Sequence, residues 1–217
     1  MGPHAGQPVL TRGPGLAASR AVMLMLHGRN AGPENILELA SLLPHPAFSY
    51  LAPAAAGNTW YPFSFLVETQ RNEPGLSSGL GVIGRLVQEI EQQGIPRRRI
   101  ILLGFSQGAC LASEYAVRNA SRFGGLVALS GGLIGPPGTR WEYPGNFAGA
   151  PVFLGCSDTD PHVPLARVEE SAAVFARMGA EVTKRIYPGM GHQVCEDELE
   201  FVRDLMRKVA APDPEQP

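Results

Sequence analysis

Continuous apolar runs alternate along this chain with stretches whose apolar residues recur every three or four positions, and that alternation predicts its elements. "AVMLML" (Ala21–Leu26) is apolar throughout, as a strand buried on both faces of a parallel sheet must be. "GPENILELASLL" places Pro33 near its start and Ile36, Leu37, Leu39, Ala40 and Leu43 on one face, which predicts a helix. "FSYLAP" (Phe48–Pro53) reads as the next strand, and 54–74 as an aromatic-rich loop without periodicity. "GLSSGLGVIGRLVQEIEQQGI" carries Leu80, Ile83, Leu86, Val87 and Ile90 at helical spacing and should close near Gly94. Three apolar residues from Ile101 then meet Gly104, Phe105, Ser106, Gln107 and Gly108, after which the helical period returns. Two more apolar strands, "GGLVALSG" (124–131) and "GAPVFLGCSD" (149–158), flank a Gly/Pro-rich surface excursion that includes Leu133–Ala148. A helix ("PLARVEESAAVFARMGA"), an alternating strand ("EVTKRIYPG") and a last helix ("EDELEFVRDLMRKVA") complete the pattern. The order predicts one α/β domain spanning 1–217, a mostly parallel central sheet with helices on both faces. The ends, about 1–18 and 211–217, show no such pattern and are expected to be flexible.

In such sheets function gathers past the C-terminal ends of the strands. The polar residues that fall there are His27, Gly28, Arg29 and Asn30 after the first strand, Ser106 after the glycine-rich corner, Asp158 and Asp160 after "PVFLGC", and His192 after "VTKRIYPGMG". The chain order Ser, Asp, His matches a nucleophile, a carboxylate and a base on an α/β scaffold. A serine hydroxyl needs a base to take its proton, and histidine suits that work near neutral pH. A carboxylate on the other ring nitrogen fixes the tautomer. Asp160, fixed in an extended conformation by Pro161, is the preferred carboxylate, with Asp158 as its alternative in a structural role. His162 qualifies as a base by chemistry alone but shares the loop of Asp160. Backbone N–H groups of Gln107 and Arg29 are the expected donors to an oxyanion, and His27 is expected to brace their loop. Trp60, Tyr61, Phe63 and Phe65 either wall a substrate pocket or anchor the long loop to the core, and Trp141 and Tyr143 could complete a rim.

Composition narrows the remaining classes. Of 217 residues, 44% are hydrophobic and 18% charged, with a net charge of -2, so no strong field exists for nucleic acid or anionic membranes. The basic run Arg97–Arg99 reads as a solvated turn between helix and strand. Cys110, Cys156 and Cys195 are far apart, which suits reduced thiols, and no secretory or membrane-spanning segment is evident. The expected address is the cytoplasm. His192 and Cys195 lack the two further ligands of a zinc site, so no metal is expected.

The motifs "LHGRNAG", "GFSQGA", "ALSGGLIG", "SDTDPHVP" and "YPGMGH" together resemble the phospholipase/carboxylesterase family of α/β-hydrolases over roughly 21–210. The resemblance implies Ser106 as nucleophile, Asp160 and His192 as its partners, and no metal or organic cofactor. It implies hydrolysis of small-molecule carboxylic esters, with thioesters and lysophospholipids as related substrates. "HGR" is similar to the bacterial carboxylesterase branch, where eukaryotic acyl-protein thioesterases carry HGLGD, which sets this chain apart from protein depalmitoylation. Dienelactone hydrolases, distant relatives, use a cysteine where Ser106 stands. A non-catalytic binding protein and an acyltransferase are the rival functions, and a homodimer is open to such a chain, although no segment marks its interface.

Overall fold

Every strand of the central sheet except its first edge runs in one direction, so the ends that carry chemistry all emerge on one side. The computed structural model describes residues 2–212. Its strands are β1 (Val9–Arg12), β2 (Ala21–Leu26), β3 (Phe48–Pro53), β4 (Ile100–Phe105), β5 (Gly125–Leu129), β6 (Pro151–Ser157) and β7 (Glu181–Tyr187). They lie in the order β1-β3-β2-β4-β5-β6-β7, with β1 antiparallel to β3 and the other neighbours parallel. The helices are α1 (Pro33–Leu42), α2 (Gly75–Gln92), α3 (Gln107–Arg118), α4 (Leu165–Arg177) and α5 (Glu196–Ala210).

The two faces of the sheet make two cores, because successive side chains of a strand point oppositely. From β2, Val22, Leu24 and Leu26 pack towards α2 and α3 with Ile83, Leu86 and Leu111. Met23 and Met25 pack towards α1 and α5 with Ile36, Leu37, Leu199 and Val202. All six residues of β2 are fully buried, as the unbroken apolar run requires. Helix α2 stops where expected: Gly94 takes the left-handed conformation (φ 85°) and its N–H bonds the Glu91 carbonyl at 2.9 Å. The basic run is a single turn, Arg97–Arg99, in which Arg97 pairs with Glu91 at 2.9 Å and Arg99 donates to the Val209 carbonyl at 3.0 Å. No helix among the described residues is long and apolar enough to cross a membrane.

The N-terminal segment differs from the expectation of a flexible end. It forms β1, pairing Val9 to Pro53 through Arg12 to Tyr50. His4 ahead of it is buried, with Nε2 donating to the Trp60 carbonyl at 2.8 Å and Nδ1 accepting from Ala56 N–H at 3.0 Å. A four-residue edge strand is too short to show a period, and its partner lies some forty residues away in sequence. At the other end, residues 213–217 of the expected flexible tail lie outside the described residues.

Candidate active site

The corner between β4 and α3 is built by two glycines. A Cβ on Gly104 would sit 2.3 Å from the Gly108 carbonyl oxygen, and one on Gly108 would sit 2.1 Å from the Leu26 carbonyl oxygen. Only hydrogen fits at either place, so β4 can turn into α3 within one residue. Ser106 is that residue. It is held at φ 55°, ψ −120°, a region that L-residues avoid, and its N–H is fastened to the Leu129 carbonyl at 2.9 Å. The strain projects Oγ past the strand ends at the start of α3, where the helix dipole is positive.

His192 comes to meet it from beyond β7, three strands away. Its loop is tied to the loop after β6 by Gly189 N–H on the Asp158 carboxylate (2.8 Å) and Gly191 N–H on Ser157 Oγ (3.0 Å). Asp158 thus has a structural role, which leaves Asp160 to face the imidazole. Asp160 Oδ2 accepts from His192 Nδ1–H at 2.7 Å, so Nε2 carries the lone pair and lies 2.9 Å from Ser106 Oγ. The side chain of Asp160 is inaccessible, and its Oδ1 accepts the N–H groups of His162 (2.8 Å) and Val163 (3.0 Å). Burial pushes its pKa up, but the His192 hydrogen bond and the two amides outweigh that and hold it below the ordinary carboxylate value. The Cys156 thiol also faces Oδ2, at 3.8 Å. His162 is no competitor to His192: it stacks edge-on against that ring, centroids 4.8 Å apart, while Phe105 packs against it at 4.9 Å. Helix α5, after the His192 loop, is capped by Cys195, whose N–H bonds the fully buried Glu198 carboxyl at 2.9 Å.

The register of β2 beside β4 (Leu26 opposite Gly104) brings "HGRN" alongside the corner. A Cβ on Gly28 would lie 3.4 Å from the Ser106 Cβ, so the two segments run close together here. The His27 ring is fully buried; Nε2 accepts from Ala55 N–H (3.1 Å), so Nδ1 must be the donor to the Gly28 carbonyl (2.8 Å). That arrangement needs a neutral ring, and burial lowers the His27 pKa accordingly. Among the described residues neither the Arg29 nor the Gln107 amide is taken by a protein acceptor.

A cleft of about 500 Å³ opens over Ser106, walled by Tyr61, Phe63, Phe65, Arg29, Cys110 and Val163 among others. Of the four aromatics singled out in the loop, three line this cleft and Trp60 does not. Trp60 is buried underneath, its indole N–H donating to the His27 carbonyl at 3.0 Å, because an indole needs both apolar cover and an acceptor. Trp141 and Tyr143 do not rim the cleft either. The indole of Trp141 lies 4.9 Å from the Arg167 guanidinium and donates to Ile134 O, while Tyr143 O–H donates to Glu114. Periodicity gave no hint of Cys110, although it follows Ser106 by one helical turn and so shares its face. Burial pushes its thiol up to about 11, so it stays protonated near neutral pH and forms part of the wall.

The profile of the phospholipase/carboxylesterase family matches residues 15–210. The chain belongs to this family. Acyl-protein thioesterase 1 of Saccharomyces cerevisiae is 34% identical over 137 residues, covering 62% of this chain and 60% of the yeast protein. The same-named protein of Eremothecium gossypii is 33% identical over 174 residues, covering 75% of this chain and 71% of its own length. The chain thus spans about three-fifths of the length of the yeast relative. A phospholipase/carboxylesterase from Dyadobacter fermentans is similar in structure, with a TM-score of 0.90, 40% identity, and coverage of 95% of this chain and 99% of its own. A Bacillus cereus carboxylesterase shares the α/β-hydrolase fold at a TM-score of 0.75 and 23% identity, covering 94% of this chain and 95% of its own.

Proposed function

We propose that this family member is a serine hydrolase of carboxylic esters that works through an acyl-enzyme on Ser106. The observation that carries the reading is the hydrogen-bonded series Ser106 Oγ, His192 Nε2, His192 Nδ1, Asp160 Oδ2, at 2.9 and 2.7 Å, held at the strained corner.

Ser106 Oγ attacks the carbonyl carbon while His192 Nε2 takes its proton, and Asp160 stabilises the imidazolium without itself being protonated. The carbonyl oxygen, now negative, is met by the N–H groups of Gln107 and Arg29. Collapse expels the alkoxide, which receives the proton from His192 and leaves as the alcohol, with the acyl group bonded to Oγ. Water then attacks the acyl-enzyme with His192 again as base, and the acid departs as the Oγ proton returns. A thioester carbonyl meets the same groups, in keeping with the thioesterase name of the fungal relatives. The aromatic cleft suits a compact apolar acyl or aryl group.

Hydrolysis of p-nitrophenyl esters from acetate to palmitate, with Ser106→Ala as control, tests the reading. Turnover that depends on Ser106 and peaks at short or medium acyl chains is expected. Absence of Ser106-dependent turnover, together with no fluorophosphonate adduct on Ser106, would favour a binding protein. Preferential transfer to an added alcohol or thiol would favour an acyltransferase.

A further inference from the structure

The strap that walls the cleft, residues 60–65, belongs to no helix or strand, yet its backbone polar groups are taken one after another by groups from elsewhere, most of them side chains. Gln107 Oε1 accepts Trp60 N–H at 2.9 Å and its Nε2 donates to the Tyr61 carbonyl at 2.8 Å. The Arg29 guanidinium donates to the carbonyls of Pro62 (2.8 Å) and Phe63 (2.6 Å). Asn72 accepts Phe63 N–H at 2.9 Å and donates to the Ser64 carbonyl at 3.0 Å, and Gly135 N–H holds the Phe65 carbonyl at 2.8 Å. A surface loop ordinarily leaves such groups to water. Gln107 and Arg29 line the cleft themselves. Asn72 does not; it is fully buried, at the end of the single turn Thr69–Asn72.

We propose that Asn72 is a positioning residue for substrate choice, its amide holding the Tyr61–Phe65 strap as a fixed aromatic wall. The inference rests on the esterase reading above. A primary amide is the side chain that accepts from one N–H and donates to the next carbonyl in the same plane; an aspartate would set a carboxylate oxygen against the Ser64 carbonyl, and an alanine would leave both groups unmet. The strap so held keeps Phe63, one of the two conspicuously exposed large apolar side chains among the described residues (46%), at the mouth of the cleft with the Arg71 guanidinium 4.7 Å from its ring. A preformed wall rewards acyl groups that fit it, because ordering has been met before the substrate arrives; a released strap gives that advantage up.

The test is kcat and KM on p-nitrophenyl acetate and p-nitrophenyl hexanoate for the wild type, Asn72→Asp, Asn72→Ala and, at the exposed mouth where folding is not at stake, Phe63→Ala. The hexanoate-to-acetate ratio of kcat/KM should fall about tenfold in all three variants, chiefly through KM for hexanoate, while kcat on acetate stays within about twofold in the Asn72 variants. Fluorophosphonate titration of Ser106 counts intact sites, so lost fold is not scored as lost selectivity. A ratio unchanged in both Asn72 variants at full titre overturns the proposal, and so does an unchanged ratio in Phe63→Ala, which alone decides if the buried variants do not fold. If the wild type hydrolyses neither ester through Ser106, the esterase reading is what has failed. The strap is then judged by hydrogen exchange, where a Phe63 amide exchanging at least about tenfold faster in Asn72→Ala supports the clamp and equal rates refute it.

Discussion

Ser106 is held at φ 55°, ψ −120°, where a Cβ is unwelcome, so the fold gives up stability at this residue for the position of one oxygen. Glycine would relieve that strain. Ser106→Gly should therefore raise the melting temperature by about 2–4 °C, corresponding to about 1 kcal/mol, while ester turnover falls by at least about 10⁴-fold, as for Ser106→Ala. A melting temperature lowered by the glycine would show that no strain is stored there. Asp160 makes a second prediction, in the acid range. Its folded pKa is depressed, so its contribution to stability is present above the ordinary value of about 3.9 and is lost as pH falls through the lower folded value. Denaturation midpoints followed from pH 6 downward should fall less steeply in Asp160→Asn than in the wild type. Ser106, Asp160 and His192 were legible in the sequence because each follows a recognisable strand. Asn72, His4 and the side chain of Gln107 were not, since what they touch depends on the path of a loop that carries no period.

The corner between β4 and α3 answers to its glycines before its serine. Gly108→Ala would drive a methyl carbon to 2.1 Å from the Leu26 carbonyl oxygen, which is backbone and cannot step aside. A loss of at least about 3 kcal/mol in urea denaturation is expected, far above the effect of alanine at an exposed helix position. Wild-type stability in that variant would mean that the corner can rebuild itself. Strands β2 to β7 and the five helices could be read from pattern because burial dictates composition. The edge strand β1 could not, as one paired side and four residues give burial little to select. In the excursion 132–148 the pattern marked a surface segment, but only part of it is exposed: Leu133, Ile134 and Phe147 join the core, and Trp141 is drawn inward by Arg167, itself a buried cation. Arg167 pairs with the Glu170 carboxylate at 2.9 Å and donates to the Leu133 and Gly135 carbonyls, a role no hydropathy pattern assigns to arginine.

Across the whole molecule, Glu198 opposes Asp160 in its response to pH. Burial, with a smaller push from Asp197, raises its pKa to about 7 against the Cys195 amide, and its second oxygen has no partner among the described residues. A carboxyl raised on folding supports the native state fully below its unfolded value and loses that support as pH climbs towards about 7. The wild type should lose about 3 kcal/mol between pH 4.5 and 7 from this group, and Glu198→Gln should flatten that slope. Equal slopes in the two proteins would remove Glu198 as the source. The N-terminal segment reaches just as far. Deleting residues 2–7 removes the His4 contacts to Trp60 and Ala56, so Trp60 fluorescence should shift and ester KM should rise by about twofold or more. Unchanged emission would show that the loop stands without that tether.

The order of the sheet also governs what a half-made chain can do. Strands β2 to β5 and the corner serine leave the ribosome well before β7, the edge strand whose following loop brings His192. On the proposed mechanism the nucleophile would therefore exist during synthesis without its base, and a nascent chain that has already begun to fold would meet esters as an inert protein until its last elements dock.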